Sequence, residues 1–317
     1  MDYYNKYLEY KKKYLELKYN QNGGDIYSNV DEVIIYKTNK IIFNKTNKRA
    51  IKKFTPNYLS KSYTPYKGDK HTIQSITKSI LSILFGIAIQ NNHMKISDLH
   101  NYIYNYFDDY SLNKKIKIMH LLTMTSGIIW NTNYDDPNNT TFLMEQSKDW
   151  IKFILEQKCD KAGKEFHYKD CDTVLLGYIF EKIVNDNVNN YANKYLFEPL
   201  NITVFWNKVN NNYDVEGGLY MSSSSLLEIG KLMLNKGVYN NKQLINPQYY
   251  KLMIKNHMPN KQFFGYGFQW WNYKKYIFGW GYKGQYLVIN TSKKTVGLLF
   301  QWTNKKEIQP YEFIKLT

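Results

Sequence analysis

A chain of 317 residues with 43% apolar and 17% aromatic residues can bury a sizeable core, which excludes a disordered protein and allows one enzyme body of two lobes around a cleft. The formal net charge of +16 is almost all lysine, amid the Asn, Ile and Tyr of an AT-rich genome's residue usage. Base-reading arginine is nearly absent, Arg49 being a rare example, so no specific nucleic-acid partner is expected.

From the N-terminus, Tyr3, Tyr7, Tyr10, Tyr14 and Leu17 recur at alternating spacings of four and three, which predicts a helix over residues 2–19 with coiled-coil phase. Asn20 to Gly24 break it as a linker, making residues 1–24 an appendage. That helix either docks to another protein, self-associates, or packs on its own domain. The segment lacks the apolar run of a secretory signal, and no stretch of the chain approaches the ~20 apolar residues that span a bilayer. Only Cys159 and Cys171 are present, too few for a disulfide framework. A cytoplasmic, non-secreted protein with no membrane span is expected. The Tyr/Lys-rich opening ending in Gly23-Gly24 also resembles the start of many proteins of giant amoeba-infecting DNA viruses, which implies a viral origin and a place in the virion.

Residues 25–317 are expected to form one domain: a sheet lobe over about 25–92 and 258–317 and a helical lobe over about 93–257. The runs VIIY and KIIF between Glu32 and Asn44, joined by Lys37, Thr38 and Asn39, predict a hairpin. A helix that starts at Ser75 and continues through SILSILFGIAIQ is apolar on nearly every side, the pattern of a helix buried between layers. Helical periodicity dominates from Ser97 to Tyr250, clearest at Trp150–Glu156 and Leu226–Leu234, and after Phe263 three or four antiparallel strands are expected.

Ser75-Ile76-Thr77-Lys78 places a hydroxyl and an amine three residues apart on one helix face. Ser111-Leu112-Asn113-Lys114 has the same spacing but sits in a polar turn. A buried helix starting at Ser75 also points its first N–H groups and positive dipole end at a developing oxyanion.

HTIQSITKSILSILFGIAIQ, followed by ISDLHNYI and IKIMHLLTMTSGIIW, resembles the class C β-lactamase-related serine hydrolases and penicillin-binding proteins. The resemblance implies an α/β (α+β) fold, an antiparallel sheet flanked by helices plus a mainly helical lobe. It implies Ser75 as nucleophile, Lys78 as proton-handling partner and the Leu121–Gly127 segment as cleft wall, with no chemistry for His120, Thr125 or Ser126. AGKEFHYKDCDTVLLGYIFEKI resembles the family's second motif, which makes Tyr168 the catalytic tyrosine. EGGLYMSSSSLLEIG and FGYGFQWW resemble scaffold segments. The third motif, Lys or His followed by any residue and Gly on an inner strand, maps onto Tyr282-Lys283-Gly284. Gly284 would then let substrate approach the strand, and the N–H groups of Gln285 and Ser75 would form the oxyanion hole.

Three positions depart from the family pattern. Asp170 replaces the usual Asn and would favour the Lys78 ammonium. Tyr282 stands where relatives place a cation, with Lys283 one residue along a strand and so on its opposite face. Ala162 replaces a turn proline. These departures favour esterase or amidase chemistry on a small acyl substrate through an acyl-enzyme, over efficient β-lactam hydrolysis. The alternative is a weak or inactive hydrolase fold kept for binding or for a virion role. No metal or cofactor is implied, since His71, His93, His100, His167 and His257 show no ligand spacing. Substrate choice would come from loops such as Asn131–Asn139 and from the aromatic residues Trp270, Trp271 and Trp280, although those tryptophans read as core more than as pocket.

Overall fold

The computed structural model describes residues 30–46, 68–133, 135–209, 212–258, 264–301, 307–315 and 317; the helix and linker expected over residues 1–24 lie outside them. In chain order the strands are β1 (Glu32–Lys37), β2 (Lys40–Thr46), β3 (His71–Thr72), β4 (Val204–Trp206), β5 (Lys208–Val209), β6 (Asn212–Tyr213), β7 (Leu219–Met221), β8 (Val238–Tyr239), β9 (Lys242–Gln243), β10 (Gly265–Tyr266), β11 (Trp271–Tyr273), β12 (Tyr276–Gly281), β13 (Gln285–Asn290) and β14 (Thr295–Phe300). The main sheet has seven strands in the order β10-β11-β12-β13-β14-β1-β2, every neighbouring pair antiparallel. It joins the two ends of the described chain, as the separated β-rich runs require.

The expected hairpin forms β1 and β2 around Thr38 and Asn39, whose φ angles of 49° and 64° give the doubly left-handed turn that matches strand twist. After Phe263 the sheet holds five strands rather than three or four. FGYGFQWW, which reads as one run, splits into β10 and β11, with Gln269 at φ 61° between them.

Both sheet faces are covered, so its strands carry apolar residues on each side. Ile34, Leu287, Ile289 and Leu298 face the larger core, while Val33, Phe278, Tyr286 and Leu299 face a smaller one. The helices are α1 (Ile76–Gln90), α2 (Ile118–Leu122), α3 (Thr140–Gln146), α4 (Trp150–Leu155), α5 (Asp170–Val184), α6 (Val188–Ala192), α7 (Ser223–Leu234), α8 (Pro247–Ile254) and α9 (Pro310–Ile314). Helices α1 and α7 pack on the larger-core face, and α9 supplies Phe313 and Ile314 to the other. Gly230 makes the close seat of α7 possible, since a Cβ there would lie 2.4 Å from Val296.

The apolar periodicity around α1 is explained by its position: every residue from Ile76 to Ile89 is buried. Its polar side chains find partners, Ser79 donating to the Gln269 carbonyl at 2.7 Å and Ser82 meeting the Tyr249 hydroxyl at 3.2 Å. Among the described residues no helix is long and apolar enough to cross a membrane.

Candidate active site

Ser75 caps the N-terminus of α1 and is half-buried. The chain enters it through Gln74 at φ 49°, a left-handed conformation that a non-glycine residue adopts only when its surroundings hold it there. Helical spacing then brings Lys78 back to the nucleophile, its Nζ donating to Ser75 Oγ at 2.9 Å. The rival Ser111 instead donates to the Leu155 carbonyl, on another part of the surface.

The Lys78 side chain is 1% exposed and surrounded by oxygen. Besides Ser75, its Nζ donates to the Glu216 carbonyl at 2.7 Å, lies 2.7 Å from Asp170 Oδ1, and lies 3.4 Å from Glu216 Oε2. Burial alone would depress the pKa of this amine, but the Asp170 charge, then those of Tyr168 and Glu216, overrides it and holds the pKa well above the ordinary lysine value. Lys78 is therefore an ammonium, as the carboxylate at position 170 implied.

Asp170 opens α5, where a carboxylate also complements the helix N-terminus. It accepts from Thr141 Oγ1 at 2.8 Å, and Thr141 accepts from Trp130 Nε1 at 3.0 Å, so a buried relay from the helical lobe fixes it. Burial works against its charge, yet Lys78 and these donors keep its pKa below the ordinary value. Asp170 thus belongs to the cradle of Lys78, on which its charge was expected to act.

Tyr168 sits two residues before α5, on a segment held by the cleft wall: Gly163 N–H donates to the Thr125 carbonyl at 2.7 Å and His167 N–H to the Met124 carbonyl at 2.9 Å. Ser126 in turn donates to Asp172 in the first turn of α5 at 2.6 Å. The wall segment thus holds the stretch that carries Tyr168 through these hydrogen bonds. The Tyr168 ring centroid is 5.6 Å from Lys78 Nζ, the amine that donates to Ser75. Burial raises the Tyr168 pKa, partly offset by the Lys78 charge, so the neutral phenol is its resting form.

The third motif lies elsewhere than the sequence pattern suggests. Tyr282-Lys283-Gly284 is not on a strand; it is the three-residue loop of the β12–β13 hairpin, with φ 63° at Lys283, φ 85° at Gly284, and Gly281 paired to Gln285. The Lys283 ammonium rests over the Tyr282 ring at 5.3 Å. The Gln285 side chain is buried in the hairpin base, donating to the Tyr282 carbonyl at 3.2 Å and accepting from the Gln301 N–H at 3.2 Å.

The glycines that meet the nucleophile's turn are Gly279 and Gly281, two apart and so on one strand face. A Cβ on Gly281 would lie 2.4 Å from the Ile73 carbonyl, and one on Gly279 would lie 3.1 Å from Ile76. Strand β11 pairs β12 only as far as Phe278, so among the described residues no strand covers the outer edge of Gly279-Trp280-Gly281.

Two residues read as scaffold or core belong to this site. Glu216 contacts Lys78 twice, and Trp271 stacks on the Tyr168 ring with centroids 5.5 Å apart and planes at 26°. Trp270 is fully buried, as expected of core. Trp280 packs with Trp271 on the sheet face away from α1, and the expectation that both are core holds for neither completely, each being half-buried.

The family model described as Beta-lactamase matches residues 31–312. Among curated proteins, the chain is 24% identical over 183 residues to Protein flp of Staphylococcus aureus (strain MRSA252), covering 57% of this chain and 35% of that protein. It is 21% identical over 187 residues to the 6-aminohexanoate-dimer hydrolase of Paenarthrobacter ureafaciens, covering 54% of this chain and 47% of that protein. The match thus spans between a third and a half of the length of these relatives. Among solved structures, the penicillin binding protein from Bacillus halodurans superposes with a TM-score of 0.68 at 14% identity, over 92% of this chain and 97% of that one.

Proposed function

The chain belongs to the β-lactamase family, and from that premise we infer that it is a serine hydrolase cleaving a small ester or amide through an acyl-enzyme on Ser75. The observation that carries the reading is one hydroxyl, one amine and one phenol gathered at an accessible helix start: Lys78 Nζ lies 2.9 Å from Ser75 Oγ and 5.6 Å from the centre of the Tyr168 ring. The name of the 6-aminohexanoate-dimer hydrolase among its relatives is consistent with acyl chemistry.

In the reactive form the site lacks one proton. Lys78 keeps its own, because Asp170 lies 2.7 Å away, so the missing proton is the one on Tyr168. Ser75 attacks the carbonyl and its proton passes to the Tyr168 phenolate. The oxyanion forms against the Ser75 N–H at the positive end of α1 and a backbone N–H on the uncovered edge of β12. Tyr168 then protonates the leaving alcohol or amine, leaving an acyl-Ser75 ester. Water attacks that ester, giving its proton to Tyr168, which passes it to Ser75 Oγ as the acid departs, restoring the Ser75 hydroxyl and the phenolate.

A neutral substrate suits this cleft. Among the described residues no Lys or His stands on β12 beside Ser75, and the nearby Lys283 lies over Tyr282 in the hairpin loop. Short uncharged esters are therefore expected to be turned over faster than carboxylate-bearing β-lactams.

The direct test is labelling with a fluorophosphonate probe. The wild-type protein is expected to label and Ser75→Ala to stay unlabelled; wild-type protein that is folded yet unreactive would overturn the enzymatic reading. The saturated, pinned Lys78 favours the alternative of a fold retained for binding, in which residues 1–24 would provide attachment, in a virion or elsewhere, and that alternative predicts the unreactive outcome.

The pH dependence follows from the raised pKa of Tyr168. Turnover needs the deprotonated form, whose population falls tenfold for each pH unit below the pKa. kcat/KM for a neutral ester is expected to climb with pH through the whole neutral range and to be still climbing at about pH 10, the ordinary tyrosine value. A plateau reached near pH 7 would point to a different base.

A further inference from the structure

Glu216 has no assigned role in the acyl transfer, and the geometry around Lys78 gives it one. An ammonium has three hydrogens. Three short contacts use them: Asp170 Oδ1 at 2.7 Å, the Glu216 carbonyl at 2.7 Å and Ser75 Oγ at 2.9 Å. The Glu216 carboxyl, with Oε2 at 3.4 Å, makes the longest of the Lys78 contacts. Its side chain is only 11% exposed, so water does not solvate it fully.

That carboxyl and the Asp170 carboxyl thus lie against the same ammonium, at 3.4 and 2.7 Å. One ammonium cannot offset two buried carboxylates packed against it, so one of the two carries a proton. Asp170, which faces Lys78 and Thr141, is the better anion, so the proton belongs on Glu216. The loop that presents Glu216 is rigidly built. Asp214 Oδ1 accepts from the Glu216 N–H at 2.9 Å and the Gly217 N–H at 3.0 Å, and Leu219 N–H donates to Thr77 on α1 at 3.2 Å.

We propose that Glu216 is a positioning residue of this site: its carboxyl and that of Asp170 share one proton, so the pair always presents one negative charge to Lys78. The proposal rests on the serine-hydrolase reading and assigns the pair the task of keeping Lys78 an ammonium, which leaves Tyr168 as the group that gains and loses the proton. The surroundings favour a single charge. Besides Lys78 and Tyr168, the ionisable groups that face the pair are Asp214 beside it on the loop and Glu145 on α3, both acidic. Glu145 itself is pushed up to about 8 by burial and by the charges of Asp214 and Asp170. Burial, then the Asp170 charge, likewise drives Glu216 well above the ordinary glutamate range.

A shared proton has a consequence that a packing role lacks. Neutralising either carboxyl leaves the other to carry the charge: in Glu216→Gln, Asp170 stays ionised, and in Asp170→Asn, Glu216 gives up its proton and takes over. Only Asp170→Asn combined with Glu216→Gln strips Lys78 of its anion, and Lys78 then becomes able to act as the base. In pH profiles of kcat/KM, each single variant is expected to keep the alkaline limb within about half a pH unit of wild type, and the double variant to move it down by at least about one unit, a tenfold change at fixed pH. A shift in Asp170→Asn as large as in the double variant would overturn the proposal, as would additive shifts. A readout independent of turnover separates this from failure of the hydrolase reading: with ¹³C-carboxyl-labelled glutamate, the resonance lost in Glu216→Gln is expected to report a protonated carboxyl at pH 7 in wild type and an ionised one in Asp170→Asn. An ionised Glu216 in wild type overturns the proposal whether or not the protein turns over an ester.

Discussion

Lys78→Met is expected to destabilise the fold by about 3–5 kcal/mol at neutral pH, the range for breaking one side of a buried ion pair. Methionine matches the length of the lysine stem, so little of this comes from an empty volume. It comes from Asp170, 5% exposed, which loses the cation 2.7 Å away while keeping its place in the core. Without Lys78, burial raises the Asp170 pKa above its unfolded value, whereas in wild type Lys78 holds it below. The sign of the pH dependence follows. In the variant the native state binds more protons than the unfolded chain as pH rises from about 4, so stability falls until the folded pKa is passed. In wild type the same carboxylate adds stability above the unfolded value and loses it only in acid. The gap between the two proteins should therefore be wide at pH 7.5 and narrow at pH 5, read as the difference in denaturant midpoint. Adding Asp170→Asn to Lys78→Met removes the stranded charge and is expected to recover most of the loss. An equal gap at both pH values, or no recovery in the double variant, would mean that Asp170 is not the source.

How much of this arrangement could be read from the chain depends on the range over which each contact forms. The Ser75–Lys78 contact is set by helical spacing within four residues, and the burial of α1 by the apolar character of its own surface, so both were legible. Asp170 was legible as a departure from a motif, and its effect on Lys78 followed from charge alone. The third motif depended on register. Gly279, Gly281 and Gly284 lie within six residues, and which of them faces Ser75 is decided by where the hairpin turns. Nothing local fixes that turn, because Lys283 adopts a left-handed φ that composition alone would have given to glycine. Glu216 was hidden for a different reason. It stands 138 positions from Lys78, next to a Gly-Gly pair that reads as scaffold, and only the loop built on Asp214 turns it toward the amine. Gln269 is a similar case, a core glutamine that takes a hydrogen bond from Thr173 and gives one to the Leu121 carbonyl, tying α5 to the cleft wall.

Tyr168→Phe separates the chemistry from the scaffold most sharply, and the expected loss is about 10²–10⁴-fold in kcat/KM, the usual contribution of a positioned general acid and base. The substitution removes one hydroxyl and keeps the ring, so the stack on Trp271 at 5.5 Å and the edge contact with Tyr266 at 6.0 Å survive. The ring's position over Lys78, 5.6 Å from the ammonium, survives as well. Stability should consequently change little, and a fall in activity cannot be assigned to unfolding. What disappears is the acceptor for the Ser75 proton. Lys78 cannot substitute for it, because its three hydrogens are committed to Asp170, Glu216 and Ser75 and its charge is held by the carboxyl pair. The residual rate in Tyr168→Phe should then depend on hydroxide and rise with pH without the curvature that a titrating phenol produces. In the background that lacks both carboxyls the same substitution should cost less, since a neutral Lys78 could take the proton directly. An equal loss in both backgrounds would place the proton on some group other than Tyr168 or Lys78.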